Sequence, residues 1–148
     1  MERRQVLSAA CGTLPLAGCL LGSDFAVEGA ETTVTEHRCI DGAETEGSVR
    51  FDGRDAVVVT GDLLLHTRCD AVNVNVFTSN AERERGKAVV EVMPVRPRGT
   101  TTSCEHCDDQ PVCTYETRVT FSDRVTGVDL LHGLPDGEST DVAVEHRE

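Results

Sequence analysis

Positive charge is what this chain most lacks. Fourteen lysines and arginines face 26 aspartates and glutamates, the formal net charge is −12, and Lys87 is the only lysine. Nucleic acid is therefore not an expected partner, because gripping phosphates needs a basic face; cations stay admissible. Long apolar runs are missing too. None approaches the roughly eighteen residues of a spanning helix, so any hold on a membrane must come from something else. The chain has no Gly-x-Ser-x-Gly elbow, His-Glu-x-x-His pair, phosphate-cradling glycine loop or EF-hand loop. That removes the common hydrolase, zinc-protease, nucleotide and calcium signatures. There is no internal repeat and no ten-residue apolar stripe of helical period.

What is there begins at the first residues. Arg3 and Arg4 precede a roughly eleven-residue apolar segment, Val6 to Leu16, which runs into Leu16-Ala17-Gly18-Cys19. These are the proportions of an export signal, too short to cross a bilayer. Ala17 and Gly18 are small enough to let a peptidase reach the backbone, and the Cys19 thiol can be alkylated. The twin arginine followed by Val-Leu resembles a Tat-route signal, and Leu-Ala-Gly-Cys resembles a lipobox. The resemblance implies cleavage before Cys19, lipidation of its sulfur and display on the outer face of the cytoplasmic membrane. A two-chain lipid is expected, because one acyl chain, at roughly 0.8 kcal/mol per buried methylene, anchors only marginally.

Loss of Glu2, Arg3 and Arg4 with the signal leaves the remainder one charge more acidic. Arginine used almost to the exclusion of lysine, abundant Asp and Glu, 3% aromatic residues and many Thr and Val resemble the proteins of salt-loving archaea. At molar salt the Debye length falls to about 3 Å, which screens the self-repulsion of an acidic domain. The resemblance implies that full stability requires high salt.

Residues 1–18 thus read as the signal peptide, 19–31 as the lipidated N-terminus and a flexible tether, and 32–148 as one domain. The tether shows neither helical nor strand period. From Thr32 the period is two: Val72, Val74 and Val76 alternate with Ala71, Asn73, Asn75 and Phe77, and Cys113, Tyr115, Val119 and Phe121 alternate with Thr114, Glu116, Arg118 and Thr120. Further strands are expected at 32–38, 48–52, 56–67, 88–95, 125–131 and 140–146. Asp52-Gly53-Arg54-Asp55 should close a hairpin, Pro135-Asp136-Gly137 should turn the chain into the last strand, and 82–87 reads as a solvated hairpin loop or a helical turn. Seven or eight short strands give an all-β fold, a single antiparallel β-sandwich of immunoglobulin-like type.

The irregular segment 96–111 is long for a compact domain, and such loops are often functional. It carries Cys104-Glu105-His106-Cys107, with Cys113 just beyond it and Cys39 and Cys69 elsewhere; Cys11 leaves with the signal. Outside the cell, five cysteines allow two bridges and one spare thiol. Cys69 with Cys113 is the expected long-range bridge. Cys113 lies on the apolar face of its strand and Cys69 immediately precedes another, and closing the loop would stabilise by roughly 4 kcal/mol. Cys39, Cys104 and Cys107 then compete for one further bridge. Alternatively Cys104, His106 and Cys107, with Cys39 or Cys113, supply soft ligands for zinc or copper. A single Cys-x-x-Cys without a second close pair is a weak sign of structural zinc. Acidic neighbours such as Glu105, Asp108 and Asp109 raise thiol pKa values, which argues against redox catalysis. His37, His66, His132 and His146 are scattered singly and read as surface or strand-end residues.

The strands around Cys69 and Cys113 resemble those of small haloarchaeal lipoproteins, a likeness that brings no activity with it. The expected role is a non-catalytic module on a lipid tether, presenting its loops to a protein, glycan or small solute without a cofactor. A metal-binding lipoprotein is the alternative and an enzyme comes third.

Overall fold

The computed structural model describes residues 24–96 and 104–148. The signal residues Arg3, Arg4, Leu16, Ala17 and Gly18 and the lipidation candidate Cys19 lie outside the described residues. Eight strands are formed: β1 (Val27–Ile40), β2 (Glu46–Phe51), β3 (Ala56–Leu64), β4 (Ala71–Thr78), β5 (Lys87–Val95), β6 (Gln110–Phe121), β7 (Gly127–Gly133) and β8 (Ser139–His146). They make two four-stranded sheets, ordered β1-β6-β3-β2 and β4-β5-β7-β8.

Alternation builds the core. In β6 the odd positions Cys113, Tyr115, Thr117, Val119 and Phe121 are buried, and they meet Val57, Val59 and Leu63 of β3 and Val90, Val92, Val128 and Leu130 of the facing sheet. The Asp52–Asp55 turn closes the β2–β3 hairpin as expected: Phe51 pairs with Val57, and the Asp52 amide donates to the Ala56 carbonyl. Gly53 adopts a φ of 79°, a left-handed conformation that a side chain would strain. The turn after Pro135 is also formed, with the Leu134 amide donating to the Glu138 carbonyl. Residues 82–84 make a short 3₁₀ turn within the β4–β5 connection.

Three expectations need correction. The sandwich is not purely antiparallel, because β5 and β7 pair in parallel. β6 crosses to the other sheet and carries the chain back to the end where β5 began, so β7 runs the same way as β5. Nor is the strand order that of an immunoglobulin domain, where the first strand shares a sheet with the second, fourth and fifth; here β1 lies beside β6. Finally, the domain does not begin at residue 32. Phe25 is buried and stacks on Phe121 at 4.9 Å, and β1 starts at Val27, so the second half of the supposed tether is part of the fold.

The strands all run between two ends. One gathers the start of β1, the β2–β3, β4–β5 and β6–β7 connections and the C-terminus. The other gathers the remaining connections, including the cysteine-bearing loop.

Candidate functional site

At that second end, two disulfides pin the loop before β6. Cys39, at the end of β1, is bridged to Cys107, and Cys69, just before β4, is bridged to Cys104. Each half of the Cys-x-x-Cys motif is thus tied to a different part of the sandwich. The expected Cys69–Cys113 bridge does not form, and neither does a bridge within the motif. Among the described residues Cys113 is the free cysteine, wholly buried on β6, which runs between β1 and β3. Burial pushes its thiol up to about 11, and the negative charges of Asp62 and Asp70 add to the shift. It is protonated and sealed at neutral pH, unsuited to act as a nucleophile.

Beside the bridges lies an open cleft of about 290 Å³, lined by His66, Thr67, Arg68, Cys104, His106 and Cys107 among others. The residues after β3 shape one wall. Asp70 is buried and takes bonds from the His66 amide (2.6 Å), His66 Nδ1 (2.8 Å) and the Thr67 hydroxyl (3.0 Å), while His66 Nε2 faces the Pro135 carbonyl at 2.9 Å. Burial opposes the Asp70 charge, but the bonds from His66 and Thr67 outweigh it and hold the carboxyl below its usual range. His66 is thus a strand-end residue, two positions past β3, that locks the turn there. Arg68 reaches across to Glu105 at 3.2 Å. On the far wall exposed His106 pairs with Asp108 through Nε2 at 2.7 Å. In the bridged protein the sulfurs of Cys104 and Cys107 are not thiolates. Among the described residues no group of three or more His, Cys, Asp or Glu is arranged to hold a metal ion.

Sequence reading missed a second polar feature, inside the sandwich. His132 is not a surface residue; it has no exposed surface. Its phase with Val128 and Leu130 along β7 was the available signal. Tyr115 Oη lies 2.6 Å from His132 Nε2, and Thr45 Oγ1 lies 2.5 Å from Nδ1. Thr45 donates its own proton to the Asp62 carbonyl. The directions follow: Nδ1 carries the imidazole proton and donates to Thr45, and Nε2 accepts from Tyr115. Gly61 makes room, since a Cβ there would come within 3.0 Å of His132 Cε1 and 2.5 Å of the Glu46 carbonyl. Burial pushes His132 down to about 4, with Asp62 offsetting only part, and drives the Tyr115 phenol well above its ordinary value.

Tyr115→Phe should cost about 1–3 kcal/mol, because it strips His132 Nε2 of its donor in a place water does not reach. Urea denaturation of the two proteins checks this; equal midpoints would mean the imidazole finds another partner.

No family model, curated protein or solved structure matches the chain.

Proposed function

We propose that the protein is a lipid-anchored cell-surface module with a non-catalytic binding or structural role, presenting its disulfide-pinned loops to a protein, glycan or small-solute ligand. The observation that carries this reading is the pair of bridges holding both halves of Cys104-x-x-Cys107 against the sandwich. Such bridges persist in oxidising surroundings outside the cell, which is where the twin-arginine signal and the lipobox at Cys19 would deliver the chain. A haloarchaeal lipoprotein would meet the same conditions. The non-catalytic part rests on chemistry: the imidazole of His132 and the thiol of Cys113 are both closed off from any substrate.

Cys19→Ala should leave the domain folded, since the described fold starts downstream of it, and move the protein from the membrane fraction to the soluble one. Retention in the membrane fraction would reveal another anchor and overturn the reading. Elemental analysis with alkylation mass mapping separates the zinc or copper alternative. Bound metal with Cys104 and Cys107 alkylatable supports metal binding; two bridges without metal support the module.

A further inference from the structure

A lipid on Cys19 would hold the chain near its start, and the fold sets which way the domain then faces. Four contacts fix the entry point. Phe25 stacks on Phe121, the Ser122 hydroxyl donates to the Asp24 carbonyl, the Ala26 amide donates to Ser122 Oγ, and the Ser122 amide donates to the Ala26 carbonyl. Asp24 is therefore clamped at the end of β6. Between Cys19 and Asp24 only five peptide units remain, a reach of at most about 17 Å. β6 alone, at twelve residues, spans roughly 36 Å from there to the cysteine loop. A lipid on Cys19 cannot bring the disulfide end to the bilayer without tipping the whole domain over.

We propose that the end formed by the β2–β3, β4–β5 and β6–β7 connections is the one apposed to the membrane, and that the disulfide-pinned cleft is the end presented outward. This rests on the lipid-anchor reading. The two ends also differ in charge. At the membrane end Arg54, Arg83, Arg85, Lys87, Arg124 and Arg147 nearly offset the carboxylates around them, Asp52, Asp55, Glu82, Glu84 and Asp123 among them. The opposite end sets only Arg68 and Arg96 against Asp41, Glu44, Glu105, Asp108, Asp109 and Asp136, so it is the end that an anionic surface repels more. The membrane end is also built as one piece. Arg147 donates to the carbonyls of Gly53 and Arg54, the Val125 amide to the Arg54 carbonyl and the Thr126 amide to the Gly86 carbonyl, while Asp123 pairs with Arg54 and Arg85. Its loops present a common, cross-braced face.

The absence of tryptophan supplies the test. The lipidated variants Glu82→Trp, in the β4–β5 connection, and Glu138→Trp, in the β7–β8 turn, each carry one reporter at an exposed position. Both are reconstituted at high salt into phosphatidylglycerol vesicles doped with a dansyl-headgroup lipid, an acceptor whose range is short beside the length of the domain. Transfer to dansyl should be several-fold stronger from Glu82→Trp than from Glu138→Trp. Equal transfer would mean that the domain lies flat, and stronger transfer from Glu138→Trp that it is inverted; either overturns the orientation while leaving the anchor standing. If neither variant floats with the vesicles, the anchor reading itself falls and takes the orientation with it.

Discussion

Removing the Cys39–Cys107 bridge with the paired substitution Cys39→Ala and Cys107→Ala should lower stability by about 4 kcal/mol under oxidising conditions. The bridge closes a sequence separation of 68 residues, and the Cys69–Cys104 bridge one of 35 nested inside it. Each denies the unfolded chain a large share of its freedom, but because the loops share residues the two effects are not additive. Cys113→Ala is the informative control. It removes a buried sulfur that bridges nothing, so only about 1 kcal/mol of packing should be lost. Urea midpoints at high salt would rank the variants. In excess dithiol the bridge variant and the parent should converge, since both are then open chains. A Cys113 variant less stable than the bridge variant would show that Cys113, not Cys39 or Cys107, carries the long-range crosslink.

Acidification from pH 7 to pH 4 should remove about 3 kcal/mol through His132 alone. Its folded value is depressed to about 4 against an ordinary 6.5, so between those limits the unfolded chain binds the proton and the folded one does not. Stability therefore rises with pH across that window, is complete above it and is lost as pH falls through it. The structural cause is a directional chain of bonds. A proton on Nε2 would face the proton of Tyr115, and the phenol would have to give up donating to the ring. Asp70 adds a separate loss further down, as pH falls through its own depressed value and its carboxylate stops accepting from His66 and Thr67. Chemical denaturation at a series of pH values reads both. In His132→Gln the slope between pH 6.5 and 4 should flatten while the lower step persists; an unchanged slope would place the proton uptake elsewhere.

The parts of the fold that were legible in the sequence are those where one face of a strand is buried and the other is wet. β6 showed its inward residues at every second position, and the hairpin at Gly53 announced itself by turn chemistry. β1 was half missed for a physical reason. It is an edge strand with little burial, and register shifts at Val27/Gly29 and Val34/Glu36 break its alternation. The parallel pairing of β5 and β7 leaves no mark on either strand, because it comes from the detour of β6 through the other sheet. The cysteine partners were illegible for a similar reason. Cys113 points inward as its phase requires, but which strand ends converge on the loop is a property of strand order, and strand order is not written in local periodicity. His132 was readable by phase and was passed over because single histidines are usually wet.

The most direct test is the intact mass of the protein taken from the membranes of the cells that make it, before and after reduction. The account predicts a chain beginning at Cys19 that carries the added mass of a two-chain lipid and gains the mass of four hydrogens when its two bridges open. A chain that still begins at Met1, with no lipid mass and no gain on reduction, would contradict it.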